Sequence, residues 1–145
     1  MKPLEESFQI LDLIDSISER HLQLRKLTQT LWNNSSDIYL SNSEWFIISI
    51  IVKKEVPISY ITNKVDITRQ ATHKLIKSLE SKGIVETFYV AHNKKNKFIR
   101  LTPLGEECYR KNEALKATIE QKIAAKIGND NLDIFKQILK ADWGI

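Results

Sequence analysis

From Leu4 to about Trp32, apolar residues recur at Ile10, Ile14, Ile17, Leu24, Leu27 and Leu31, in steps of three, four and seven that lay one stripe along a helix. A helix of that length runs about 42 Å, more than the core of a small domain can cover, so a partner subunit is expected against part of it. His21 falls on the stripe, where it reads as a half-buried packing residue or as a pH-sensitive dimer contact. The polar stretch Asn33 to Tyr39 ends the helix. Ser41 followed by Glu44 has the form of a capping box, and Leu40 with Trp45 that of a hydrophobic staple. Trp45 to Val52 is apolar on nearly every side, which predicts a central, buried second helix.

Pro57 then opens a short helix, Ile58 to Val65, with Ile58, Ile61 and Val65 at helical spacing. Asp66 and Ile67 form a turn, and Thr68 is a good N-cap for a helix from Arg69 to Lys82, whose inward stripe is Ala71, Leu75, Ile76 and Leu79. Gly83 ends it. The period then changes to two: Ile84 to Val90 and Lys97 to Leu101 are β-rich, with the polar His92 to Asn96 between them, a hairpin with a basic tip. Thr102 and Pro103 start a long helix to about Ile127, with Leu104, Cys108, Leu115, Ile119 and Ile123 on one face. A closing helix from Asn131 to about Asp142 carries Leu132, Phe135, Ile138 and Leu139, followed by Trp143.

The predicted class is therefore mainly α with a small β-hairpin wing. A winged helix-turn-helix core spans 40–102, flanked by long dimerisation helices at 1–34 and 103–145, all in one compact domain. Leaving Ile10, Ile14, Leu24, Phe135, Ile138 and Trp143 in water would make an apolar patch larger than a monomer tolerates, so these residues are assigned to a two-fold homodimer interface.

Charge sharpens this picture. The chain of 145 residues carries +4 overall, yet Arg69 to Arg100 holds eight basic residues against two acidic ones, a local +6 inside a remainder of −2. Such a cationic block is the footprint of a phosphate-binding surface. Cys108 is the one cysteine, which excludes an internal disulfide and a thiolate metal cluster. It lies on the apolar side of its helix and is read as packing rather than as a redox sensor. The acidic residues among Met1 to Ile17 do not fit a secretion signal, no run is long enough for a membrane span, and a cytoplasmic protein is expected. His21, His73 and His92 are scattered, with no phosphate loop, metal spacing or serine elbow, which argues against an enzyme and against a cofactor.

Three segments together resemble the DNA-binding core of the MarR family of transcription regulators: Ile61 to Arg69 (ITNKVDITR), Leu79 to Val85 (LESKGIV) and Leu101 to Gly105 (LTPLG). The resemblance extends to the long helix before the core and the two after it, and implies a triangular dimer. It also implies a small-molecule pocket between the first helix and the winged core, lined by Trp32, Tyr39 and Trp45. One departure stands out: where the family wing carries Asp-x-Arg or Asp-Arg-Arg, this chain reads Asn93, Lys94, Lys95. Lysine is a poorer bidentate donor than arginine, so the wing is expected to give phosphate contacts and less base readout.

The function expected is that of a sequence-specific regulator of transcription, a repressor, binding double-stranded DNA as a homodimer. Gln70 and His73, with Arg69 at the helix start, are the base-reading candidates, because major-groove edges offer acceptors to Arg and a donor and acceptor pair to Gln. Lys74 and Lys77 hold phosphates, as do Thr68 and Ser59 through hydroxyl or amide groups. His92, Asn93, Lys94, Lys95 and Lys97 form the wing contacts. The competing reading is a winged module whose basic face binds protein or RNA.

Overall fold

The computed structural model describes residues 9–145. Helix α1 spans Leu13–Ser35, α2 Asn42–Ile51, α3 Ile58–Lys64, α4 Arg69–Ser81, α5 Pro103–Ile127 and α6 Asn129–Lys140; strands are β1 Val56–Pro57, β2 Val85–Val90 and β3 Asn93–Leu101. The chain divides into two units, one through Tyr109 and one from Arg110. In the second unit α6 has no buried residue.

Helix α1 does not run unbroken from the N-terminal side. Asp12 caps it, its Oδ1 accepting the Asp15 amide at 2.8 Å, so Ile10 precedes the cap rather than continuing the stripe; the expected start at Leu4 lies outside the described residues. Aspartate satisfies the orphan donors of a first turn better than it serves a helix interior, which is why the break falls there. Along α1 the stripe residues Ile14, Ile17, Leu24 and Leu27 are all exposed, and so is His21, which is not the half-buried packing residue expected. Only Trp32, near the end, is buried.

The core of the first unit gathers Trp32, Leu40, Ile47, Ile48, Ile51, Ile61, Ile76, Leu79, Ile84 and Ile99, each worth about 1.5–3 kcal/mol when taken from water. Helix α2 contributes three of these on one face, while Phe46 on its other side is half exposed, so the helix is central but not buried all round. A strand absent from the periodicity reading completes the sheet: β1 pairs with β3, Val56 opposite Ile99 and Pro57 opposite Phe98, in the order β1-β3-β2. Two residues are too few to show a period, and proline is admissible because β1 is an edge.

The capping box of α2 is present and also serves a long-range purpose. The Ser41 hydroxyl accepts the Glu44 amide at 3.1 Å, and Glu44 Oε1 accepts the Ser41 amide at 3.0 Å. Glu44 is only 3% exposed, yet its carboxylate is fully partnered: Lys82 Nζ donates to Oε1 at 2.8 Å and to Oε2 at 2.9 Å, and the Ser78 hydroxyl donates to Oε2 at 3.2 Å. The start of α2 is thereby pinned to the end of α4.

Burial pushes the Glu44 carboxyl up, but the hydrogen bonds from Lys82 and the Ser41 amide, the Lys82 charge and the Ser78 hydroxyl outweigh it and hold it below its ordinary 4.5. A carboxylate stabilised in the folded state contributes above its unfolded value, and that contribution drains away as pH falls below 4.5 through the lower folded value. Glu44→Ala, which loses the cap and the charge-assisted bonds, is expected to cost about 2–4 kcal/mol near neutral pH. In urea titrations the gap between the wild type and Glu44→Ala should narrow on acidification. A gap independent of pH would refute the assignment.

Candidate nucleic-acid interface

Helix α4 is positioned from both ends. At its start Thr68 Oγ1 accepts the Ala71 amide at 3.0 Å, the expected N-cap; at its end Gly83, with φ +75°, takes the left-handed conformation that turns the chain into β2. Thr72, Ile76 and Leu79 are buried, and Thr72 keeps its hydroxyl satisfied by donating to the Thr68 carbonyl at 3.0 Å. Holding that face inward forces the opposite one outward. Arg69, Gln70, His73, Lys74 and Lys77 are all exposed, and no ion pair holds Arg69, Lys74 or Lys77 among the described residues. Thr68, at the end of the turn, and Ser59, in the first turn of α3, are exposed as well, although the Thr68 hydroxyl is committed to its cap.

The wing differs in detail from the predicted hairpin. Its turn is Ala91–His92, with His92 at φ +68°, and Asn93–Asn96 belong to β3 rather than to a loop. Tyr89 lies opposite Lys97 but Val90 opposite Asn93, so one step along β2 answers four along β3. The surplus Lys94, Lys95 and Asn96 bulge from the ladder, and Asn93 Oδ1 closes the bulge by accepting the Asn96 amide at 3.3 Å. Lys94 and Lys95 are exposed there, His92 is exposed at the turn, Asn93 is half-buried, and the Lys97 ammonium lies 5.9 Å from the Tyr89 ring centroid.

Two members of the cationic block are not available to an anion. Lys82 is committed to Glu44. Arg100 donates to Glu86 at 2.6 Å and to Glu55 at 3.1 Å, and lies 4.3 Å from the centre of the Phe88 ring, which ties β2, β3 and the lead-in to β1 together. The sheet under the wing is thus braced by Glu86 of β2 and by Glu55 just before β1, not by an aspartate in the wing tip. A different basic group escaped the sequence reading: Lys54 and Lys64 both lie against Tyr60 of α3, at 5.7 and 4.9 Å from its centroid.

The three aromatic residues assigned to a pocket have the following surroundings. Trp32 and Trp45 pack edge to face at 4.9 Å, Trp32 Nε1 donates to the Ile38 carbonyl at 2.7 Å, and Tyr39 is 59% exposed beneath the Lys82 ammonium. The tryptophans are spent on seating the α1–α2 loop on α2.

A basic helix face without ion pairs is followed here by a bulged basic hairpin, and a family model described as a winged helix DNA-binding domain matches residues 40–105. Residues 40–105 form a winged helix domain. The winged helix domain and its flanking helices together also match solved structures. One is the transcriptional regulator BldR from Sulfolobus solfataricus, at 18% identity, TM-score 0.67, covering 96% of this chain and 98% of that one. Another is a mutant of MarR from E. coli complexed with operator DNA, at 16% identity, TM-score 0.72, 96% and 97%. A third is FabT from Streptococcus pneumoniae in complex with DNA, at 16% identity, TM-score 0.74, 88% and 90%. The chain has the MarR-type fold. No curated protein sequence matches it significantly. No helix among the described residues is long and apolar enough to cross a membrane.

Neutralising wing charge tests the second half of the interface. Lys94→Ala combined with Lys95→Ala should weaken binding to every duplex sequence alike and lower the slope of log affinity against log salt by about 1.8 per bound protomer. Sequence-selective loss with an unchanged slope would instead place these lysines against bases.

Proposed function

We propose that the chain is a transcriptional repressor that binds double-stranded DNA as a homodimer, inserting α4 of each protomer into the major groove at two half-sites about one helical turn apart. The observation that carries this reading is the outward, unpaired side of α4, where Arg69, Gln70 and His73 sit in the first turns and Lys74 and Lys77 follow. Arg and Gln match base-edge acceptors and donor pairs, while the lysines match phosphates. The bulged wing adds Lys94, Lys95 and Lys97 for backbone contacts alongside. MarR and FabT, of the same fold, were solved on DNA, which supports the docking mode.

Two-fold association is supported by exposed large apolar side chains among the described residues. In α1 these are Ile14, Ile17, Leu24 and Leu27; in and after α6 they are Phe135, Ile138 and Trp143; Ile10 is exposed at 82%. Patches of this kind are tolerated when a copy of the chain covers them. A dimer on a pseudo-palindromic operator acts by occupying the promoter. Selection from a random duplex library, with sedimentation of the free protein, tests the whole reading: an inverted repeat and a dimer are expected. A monomer without sequence preference would end it.

A further inference from the structure

Lys54 and Lys64 stand ten positions apart in sequence, one in the turn after α2 and the other in the last turn of α3, yet their ammonium groups meet at a single ring. Tyr60 holds Lys54 Nζ at 5.7 Å and Lys64 Nζ at 4.9 Å from its centroid, which keeps the two charges within about 11 Å of each other. Neither lysine has a carboxylate partner among the described ion pairs: Glu55, next to Lys54, is committed to Arg100, and Asp66, two residues after Lys64, makes no ion pair with it. Cation–π contacts of exposed lysines are worth only about 0.5–1 kcal/mol each, enough to bias the side chains but not to neutralise them. What the arrangement lacks is an anion.

We propose that Lys54, Tyr60 and Lys64 form a phosphate clamp that grips the DNA backbone beside the groove entered by α4. The inference rests on the DNA-binding reading above and adds a site to it. Chain geometry sets the distance: Lys64 is five residues before Arg69, so the two lie no more than about 17 Å apart. Each strand of a duplex offers a charge every ~3.4 Å along its axis, so a sugar-phosphate strand passes within that reach when α4 is seated. The ring acts as the positioning element, holding two flexible lysines at one place so that less rotamer freedom is lost on binding. The Tyr60 hydroxyl is held below its ordinary value, first by its hydrogen bond with Lys64 against the opposing effect of burial, then by the charges of Lys54 and Lys64, which is consistent with a local positive potential.

The test is fluorescence anisotropy with a random-sequence duplex of about 30 base pairs over a salt series, on the full chain. The proteins compared are wild type, Lys54→Gln with Lys64→Gln, Tyr60→Leu, and a control, Lys122→Gln with Lys126→Gln, which removes the same charge from α5. At about −0.9 per phosphate, the clamp variant should lose about 1.8 from the salt slope per bound protomer and bind more than tenfold more weakly near 0.1 M salt. Tyr60→Leu, which leaves the net charge untouched, should lose a measurable part of the same slope, whereas the control should keep it. A clamp variant with the wild-type slope, or one no different from the control, would overturn the proposal while leaving the DNA-binding reading intact. Wild type that fails to bind duplex at all would overturn that reading and the clamp with it.

Discussion

Gly105→Ala is expected to destabilise the protein by about 2–4 kcal/mol, although the same change in an ordinary helix interior stabilises by roughly 1 kcal/mol. Gly105 lies in the first turn of α5 and is buried, and a Cβ there would overlap the Ile84 carbonyl oxygen and press on Leu101 Cδ2 at 3.1 Å. That oxygen cannot retreat freely, because it accepts both the Thr102 amide at 3.0 Å and the Thr102 hydroxyl at 3.1 Å. The Ile84 amide in turn donates to the Leu79 carbonyl, so displacing Ile84 pulls on the end of α4. Overpacking against backbone and the loss of about two hydrogen bonds exceed the propensity gain. Denaturant unfolding at constant slope is the check, and an alanine variant as stable as wild type would show that the joint can relax. This contact also explains why the run from Leu101 to Gly105 must end in glycine.

Gln70→Ala together with His73→Ala should reduce discrimination between the selected operator and random duplex by about a thousandfold or more. A well-made contact to a base edge is worth about 1–3 kcal/mol, and a two-fold complex loses each contact twice. Binding to random duplex should change little, because Arg69, Lys74 and Lys77 remain and the nonspecific component depends on phosphate neutralisation. The quantity to follow is therefore the ratio of the two affinities at fixed salt. Unchanged discrimination would move base readout away from this pair, with Arg69 the next residue to replace.

These two results probe different layers of the same construction. Gly105, Ile84, Thr102 and Leu79 set where the end of α4 sits, and Glu44 with Lys82 fixes it a second time from the start of α2. The residues that face outward then need no partners of their own within the protomer. Stability and recognition are thus divided between opposite faces of one helix.

Amino-acid order alone determined those features whose physical cause lies within about four residues. Ser41 with Glu44, Thr68 as a cap, Gly83 as a stop and the 3.6-residue stripe of α4 are all local, and local signals survive in sequence because a backbone amide finds its cap three positions away. They were enough for the winged helix layout and for the outward placement of Arg69, Gln70, His73, Lys74 and Lys77. Even locally, competing signals misled: the apolar stripe outweighed Asp12 as a cap, and the polar run from His92 to Asn96 resembled a loop where β3 carries a bulge. Only the tertiary structure decided which charges are spent and which remain. Lys82 is taken by Glu44 from 38 residues away, and Arg100 by Glu55 from 45, while Lys54 and Lys64 are brought to one ring. Charge is a property of the residue, but its availability depends on what the fold sets beside it within a few ångströms, and no spacing along the chain encodes that.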